Sequence, residues 1–223
     1  MSRFERKYFI GHADYLYLKD AMATLGYKDS HIGNKDCYPI VSQYYDTCGD
    51  DFYLDKVEGE FQHIKVRRRC YASEFREKDC FWEAKIKLRD EQVKLRVKEG
   101  DEAGEQVRAY IDNMIIERSL TPTCFVYYER EAYYISTDSE DIRVNFDHNI
   151  LAHHILDDCS LLDWNKGWPV DTNGKVLCEV KSRNAEMPAL MDSLIKSIDT
   201  SRTSFSKYIS GRDALKERGD LWI

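Results

Sequence analysis

The chain has 223 residues, of which 43% are hydrophobic and 13% aromatic, so it can bury a sizeable core. Its formal net charge of −7 argues against a general binder of nucleic acid or of anionic membranes, because both need a cationic outer surface. The start, MSRFERKYFIGH, carries charges where a signal peptide needs an apolar run, and no stretch approaches the roughly 20 apolar residues that span a bilayer. We therefore expect no secretory segment and no direct membrane insertion.

The cysteines are odd in number and scattered, and no C-x-x-C pair occurs among the seven. This pattern favours a reduced, cytoplasmic protein over a disulfide framework or a zinc site. No repeat or Gly/Ser-rich linker divides the sequence, so we predict one domain over residues 1–223.

Segments rich in β-branched and aromatic residues predict eight strands. They cover residues 4–10, 41–47, 61–71, 80–88, 92–98, 124–136, 142–153 and 176–182. Apolar residues recur at helical spacing in 14–25, 103–118 and 187–200, which predicts three helices. Strand pairs dominate, so the predicted class is α+β with a mostly antiparallel sheet.

Cationic side chains alternate with apolar ones along most of the predicted strands. In QHIKVRRRCY, residues 62–71, successive side chains point to opposite faces, so Lys65, Arg67 and Arg69 share one face. The same alternation sets these further cations on strand faces: Lys7, Lys85, Lys87, Lys94, Arg96, Arg130, Arg143 and Lys181. For a single strand this pattern is typical of a solvated outer face, but solvated faces usually mix charges of both signs.

The lumen of a closed barrel is a second place for such cations. Crowded there, they would repel one another and lose hydration unless a multivalent anion occupied the space. Arginine forks and lysine point charges both suit phosphate. Glu5 and Glu179, each near a lysine, are either simple ion-pair partners or ligands of a Mg²⁺ or Mn²⁺ ion that bridges to phosphate. Periodicity alone does not separate lumen from exterior, so both interpretations stay open.

Eight motifs occur in the order and approximate spacing of a known domain: FERKY, YYDT, KVRRRCY, FWEAK, VYYERE, RVNFD, CEVKS and SFSKYISG. From about residue 3 to 212 the chain resembles the VTC domain, the polyphosphate polymerase domain of the vacuolar transporter chaperone family, in its stand-alone bacterial form. That domain belongs to the triphosphate tunnel metalloenzymes. The resemblance implies an eight-stranded antiparallel β-barrel, the triphosphate tunnel, with flanking helices. It also implies transfer of the γ-phosphate of ATP to a growing polyphosphate chain with Mn²⁺ or Mg²⁺.

The resemblance further implies three sets of site residues. The catalytic cations would be Lys7, Arg67, Arg69, Lys85, Lys94, Arg130, Arg143 and Lys207. The substrate-binding residues would be Tyr128 and Ser206, with Lys65, Lys87, Arg96 and Lys181 as further candidates. Glu179 would hold the metal, and Glu5 is a second candidate ligand. The implied partners are ATP and polyphosphate but not nucleic acid, and a membrane partner stays open.

Two positions depart from the family pattern. Ser204 stands where the eukaryotic domain has a further lysine. Arg3 stands at the first Glu of the E-x-E-x-K motif that opens the triphosphatase and cyclase branch, which favours the polymerase. A triphosphatase that hydrolyses inorganic or nucleoside triphosphate, and a non-catalytic polyphosphate or nucleotide sensor, remain as alternatives.

Three motifs also have an ordinary structural interpretation. HHILDD, residues 153–158, could ligate a metal, but polar residues between strands usually form a turn. Tyr44, Tyr45, Tyr133 and Tyr134 are interpreted as core and cross-strand packing. Without the family match, SFSKYISG would be a loop before a last helix from Asp213 to Arg218.

Overall fold

The computed structural model describes residues 4–29, 35–89, 91–137, 140–156 and 158–217. Arg3, Asp157 and Arg218 lie outside these residues. The strands are β1 Phe4–Ile10, β2 Tyr27–Lys28, β3 Tyr38–Asp46, β4 Gln62–Cys70, β5 Phe81–Leu88, β6 Glu91–Lys98, β7 Thr121–Ser136, β8 Asp141–His153, β9 Trp168–Pro169, β10 Val176–Ser182 and β11 Arg202–Thr203. The α-helices are α1 His12–Leu25, α2 Asp51–Glu58, α3 Glu105–Glu117, α4 Ala189–Lys196 and α5 Lys207–Lys216.

The chain divides into two compact units. Unit 1 comprises Met1–Tyr38, Glu129–Asn149 and Asp171–Phe205. Unit 2 comprises Pro39–Tyr128, Ile150–Val170 and Ser206–Ile223. The long strands β7 and β8 each contribute residues to both units. The prediction of one domain over 1–223 stays a prediction.

In unit 1 the strand order is β11-β1-β10-β8-β7, and β2 pairs with β7. Tyr8 on β1 is buried in one apolar core with Leu18 of α1 and Met191 of α4. Because side chains alternate along a strand, Lys7 and Phe9 lie on the opposite face of β1. The helices therefore cover one face of this sheet, and the charged residues lie on the other.

Unit 2 repeats this arrangement with different strands. Its order is β7-β3-β4-β5-β6, and β9 pairs with the end of β8. Val66 on β4 and Ala84 on β5 are fully buried in a core that includes Ile111 of α3 and Phe52 of α2. The opposite face of β4 and β5 carries Arg67 and its charged neighbours.

All eight predicted strands are present, and the other three have two residues each. The β1–β10, β10–β8, β3–β4, β4–β5 and β5–β6 ladders are antiparallel, which confirms an α+β protein with a mostly antiparallel sheet and flanking helices. The expected closed eight-stranded barrel is wrong, because the strand order of the described residues is open: its end strands, β11 and β6, are each paired on one side only. Alternation identifies a strand, but it carries no information on whether edge strands bond to each other.

The three predicted helices correspond to α1, α3 and α4. Helix α2 was not predicted, because it is short and buries only Phe52. Helix α5 begins at Lys207, so the last helix does not begin at Asp213. Ser206 caps it by accepting a hydrogen bond from the backbone N–H of Ile209.

Cys70 and Cys80 form a disulfide bond, with their Cα atoms 4.3 Å apart. This pair departs from the expectation of a reduced protein, whereas the other five cysteines are free thiols. The two cysteines are separated by 10 residues, and only the pairing of β4 with β5 brings them together. In the part of the chain that is described, no helix is long and apolar enough to cross a membrane.

Candidate functional site

Unit 2 carries a row of three lysines across neighbouring strands. The β4–β5 register sets Lys65 opposite Lys85, and the β5–β6 register sets Lys85 opposite Lys94. Directly opposite residues of an antiparallel pair have Cβ atoms about 5 Å apart, and like charges there are destabilising. We call Lys65, Lys85 and Lys94 the lysine row. Such a row is unfavourable unless negative charge lies close to it, either from carboxylates of the protein or from a bound anion.

The adjacent row has a buried carboxylate at its centre. Glu83 is only 2% exposed and lies between Arg67 and Arg96 in the register. Arg67 donates from Nε and Nη2 to Glu83 Oε2, at 2.8 and 2.6 Å. Arg69 approaches the same oxygen at 3.8 Å, while Lys94 and Arg96 approach Oε1 at 3.5 and 3.7 Å. One carboxylate thus serves four cations, which leaves a local surplus of positive charge.

The nearby positive charges lower the pKa values of two groups on this face, Glu83 and Tyr71. Burial acts to raise the pKa of Glu83, but Arg67, Arg69 and Lys94 outweigh it and hold the pKa well below its usual range. Burial likewise acts to raise the pKa of Tyr71, but Arg69 and Arg96 lower it below the ordinary value. Anionic forms are therefore stabilised on this face, which is the property that a phosphate site needs.

Tyr44 holds the arginine fork from its other side. Arg67 Nη1 donates to the Tyr44 hydroxyl at 3.1 Å, and the Tyr44 ring stacks on Tyr208 of α5 at 5.0 Å between ring centroids. The ring packs as the sequence interpretation proposed, and the hydroxyl adds a contact that the interpretation missed.

The start of α5 contributes two of the predicted residues. Lys65 Nζ donates to the Ser206 hydroxyl oxygen at 2.8 Å, so the helix cap contacts the lysine row directly. Lys207 is 7% exposed, and its Nζ lies 4.6 Å from the centroid of the buried Tyr128 ring. A cation above an aromatic face is held electrostatically. The predicted partners Tyr128, Ser206 and Lys207 are therefore brought together.

Unit 1 has a different pattern, in which charges alternate in sign between strands. Lys7 lies opposite Glu179, and Glu5 lies opposite Lys181. Lys7 Nζ is 3.3 Å from Glu5 Oε1 and 3.8 Å from Glu179 Oε1, so one ammonium group lies close to both carboxylates. Lys181 Nζ lies 3.1 Å from Glu179 Oε2.

Two predicted cations of unit 1 have acidic partners that the sequence analysis did not assign. Arg130 donates from Nε and Nη2 to both oxygens of Asp147, at 2.6 and 2.7 Å, and from Nη2 to Glu179 at 3.0 Å. Arg143 donates to Asp29 at 2.7 Å. Asp147 could have been found, because RVNFD places it on the same strand face as Arg143. Asp29 gave no sequence signal.

The sequence profile of the VTC domain matches residues 2–216. The chain belongs to the VTC domain family. The family resemblance of its eight motifs is thereby confirmed, whereas the comparison with curated proteins found no match.

Three solved structures are similar to this VTC domain protein. The PH1819 protein of Pyrococcus horikoshii OT3 has a TM-score of 0.48 and 12% identity, covering 97% of this chain and 99% of its own. A conserved hypothetical protein of Pyrococcus furiosus has a TM-score of 0.42 and 10% identity, covering 88% and 87%. A candidate adenylate cyclase of Bacillus halodurans has a TM-score of 0.38 and 11% identity, covering 100% and 94%.

A metal implied by the VTC family would have Glu179 and Glu5 as ligands. Among the described residues, no three His, Cys, Asp or Glu side chains are close enough to hold a metal by themselves. Lys7 Nζ contacts both carboxylates, so it takes the position that a metal shared by Glu179 and Glu5 would occupy. Mg²⁺ usually takes one or two carboxylates and completes its shell with phosphate and water. Glu179 and Glu5 supply that number of carboxylates, and Lys7 would have to move aside for a divalent ion to bind there with phosphate.

Two further sequence candidates, Lys87 and the HHILDD segment, lie outside the clusters described above. Lys87 is exposed and lies one row beyond the lysine row, opposite His63 and Gln92. In HHILDD, His153 Nδ1 contacts the backbone oxygen of His154 at 2.9 Å, and Asp158 accepts from the backbone N–H of Ser160. These contacts are those of a turn.

Proposed function

We propose that this VTC domain protein is a polyphosphate polymerase, which transfers the γ-phosphate of ATP to a growing polyphosphate chain in a reaction that depends on a divalent metal. The observation that carries this proposal is the lysine row beside the Arg67–Glu83 pair. Cations in line across three strands match an anion whose charges repeat along a line. Family membership supports polyphosphate as that anion.

The proposed step asks little covalent chemistry of the protein. An oxygen of the terminal chain phosphate attacks the γ-phosphorus of ATP. The bond from that phosphorus to the β,γ-bridging oxygen breaks, and ADP leaves with the electron pair. Such a transfer needs positioned groups and neutralised charge rather than a nucleophilic side chain.

The residues divide this work by their chemistry. The forks of Arg67 and Arg69 suit two phosphate oxygens at once, and the lysine row supplies mobile point charges. Lys207 is held in place by the Tyr128 ring and by the capped start of α5. It is thus a fixed positive charge for the transferring group. We assign supporting roles in phosphate binding to Arg96, Lys87, Arg143 and Lys181.

Glu179 is the proposed metal ligand, with Glu5 as its neighbour. Bound Mg²⁺ or Mn²⁺ would neutralise charge on the phosphate oxygens. Arg130 at 3.0 Å and Lys181 at 3.1 Å hold the Glu179 carboxylate in a fixed orientation. Together with Lys7 they engage both carboxylate oxygens, so a metal would bind Glu179 in exchange for one of these cations.

Incubation of the purified protein with ATP and Mn²⁺ tests the proposal. A polymerase gives ADP together with long chains on a gel. ADP and free phosphate without chains would instead indicate a triphosphatase, and tight binding without turnover would indicate a sensor. We expect Lys207→Ala and Glu179→Gln each to abolish turnover in protein that is still folded at the assay temperature. Lys166→Ala, whose side chain is 79% exposed, is the matched control and should keep full rate. Full rate in both site variants would refute the site assignment.

A further inference from the structure

Unit 1 contains a pocket of about 400 Å³ that no residue of the candidate site lines. It is formed by three segments of the chain. Phe9 of β1 lines it together with residues 172–175 before β10 and residues 199–203, which lead into β11. All of these segments belong to unit 1.

The pocket is lined by aromatic, neutral polar, cationic and acidic side chains, whereas a simple phosphate site needs only cations and hydrogen-bond donors. Phe9 contributes a half-buried aromatic ring, and Asn173 and Ser201 contribute an amide and a hydroxyl. Lys175 and Arg202 contribute positive charge, and neither forms an ion pair within the described part of the chain. Asp199 would repel a bare polyanion, but its carboxylate can accept hydrogen bonds from a sugar.

The turn beside the pocket has a fixed backbone. Asn173 and Gly174 have φ angles of 52° and 68°, and the N–H of Lys175 donates to the carbonyl oxygen of Thr172 at 3.0 Å. Two successive positive φ angles with this hydrogen bond define a tight turn of the type that favours Asn-Gly. The Asn173 amide and the Lys175 ammonium group are therefore carried by an ordered segment.

The pocket adjoins the charged face of unit 1. Phe9 and Lys7 are two residues apart and share one face of β1, which separates them by about 7 Å along the strand. Lys7 Nζ donates to the carbonyl oxygen of Phe205 at 2.9 Å, and the Phe205 ring meets Phe9 edge to face at 5.0 Å. Phe205 thus contacts both the aromatic wall of the pocket and the lysine beside Glu179.

We propose that this pocket binds the nucleoside part of the nucleoside triphosphate substrate, an inference that rests on the proposed function. The base would stack on Phe9, because every base offers a π-face to an aromatic ring. The sugar hydroxyls would bond to Asp199, Ser201 and Asn173, and the cations would bind the phosphate nearest the sugar. Inorganic polyphosphate has neither base nor sugar, so these residues distinguish the donor ATP from the chain.

Calorimetry of the full chain with Mn²⁺ tests this inference with two probes: a β,γ-imido analogue of ATP and inorganic tripolyphosphate. Phe9→Leu keeps apolar packing but loses the stacking surface. The affinity for the ATP analogue should therefore fall about tenfold, and the affinity for tripolyphosphate less than twofold. Asn173→Gly keeps a residue that tolerates positive φ and removes the amide, so it should weaken only the analogue, about fivefold. Phe4→Leu, which is 44% exposed on the opposite face of β1, is the control and should change neither affinity.

The outcomes separate this inference from the function on which it rests. If the variants do not change the affinity for the analogue, or lower the affinity for both probes equally, the nucleoside assignment is refuted while anion binding stands. The same holds if the wild-type protein binds tripolyphosphate but not the analogue. If the wild-type protein binds neither probe, the proposed function itself fails, and this inference fails with it.

Discussion

Glu83→Gln is the substitution that reports most sharply on the positive face of unit 2. The change keeps the shape of the side chain and removes the one carboxylate that Arg67, Arg69, Lys94 and Arg96 share. Breaking a buried ion pair from one side costs about 3 to 5 kcal/mol. We therefore expect the free energy of unfolding to fall by about that amount without ligand.

Phosphate should reverse this loss. At an effective dielectric constant of about 20, a carboxylate about 5 Å from a phosphate charge repels it by about 3 kcal/mol. Removing Glu83 should therefore tighten the binding of inorganic tripolyphosphate by tenfold or more. A ligand at about 100 times its dissociation constant stabilises a protein by about 2.7 kcal/mol, so saturating tripolyphosphate should restore most of the lost stability.

Urea unfolding with and without tripolyphosphate measures both effects. Glu99→Gln is the matched control, because Glu99 accepts hydrogen bonds from Arg68, Arg108 and the Trp82 indole but is not a site residue. It should destabilise the protein without enhanced rescue by phosphate. If tripolyphosphate stabilises Glu83→Gln no more than the wild-type protein, the reasoning about the surplus of positive charge is wrong.

Three further substitutions test individual contacts in the two units. Tyr44→Phe removes the acceptor of Arg67 Nη1 but keeps the stacked ring, so tripolyphosphate affinity measured by calorimetry should fall about fivefold and the free energy of unfolding by about 1 kcal/mol. Asp46→Ala leaves buried N–H donors of α2 unpaired and should lower the free energy of unfolding in urea by about 3 kcal/mol; an unchanged midpoint would contradict this. Burial acts to raise the pKa of Glu131, but hydrogen bonds from His148 and other neighbours lower it from 4.5 to about 2. Its contribution to the free energy of unfolding, about 3 kcal/mol, is present above pH 4.5 and lost as the pH falls toward 2, so Glu131→Gln should flatten this acid-side decline in stability.

The face that each cation occupies could be predicted from the sequence, because alternation along a strand is a local property. The alternation predicted that Lys65, Arg67 and Arg69 share one face of β4, and in the structure they do. The lysine row itself could not be predicted, since it depends on the register between β4, β5 and β6. A shift of one residue would have changed every opposite pair.

Long-range partners were likewise beyond the sequence pattern. Arg143 donates a hydrogen bond to Asp29, which lies 114 residues earlier in the chain, and no local spacing indicates that contact. The start of α5 is a different case, because Ser206 just before the helix is a recognisable N-cap. That signal was present in SFSKYISG, and it would have moved the predicted start from Asp213 to Lys207.

The most direct test of the account is a crystal structure of the protein with inorganic tripolyphosphate. The account predicts phosphate oxygens within hydrogen-bonding distance of the lysine row and of the Arg67 guanidinium. Tripolyphosphate bound elsewhere, with Lys65, Lys85 and Lys94 making no contact with it, would contradict the central claim.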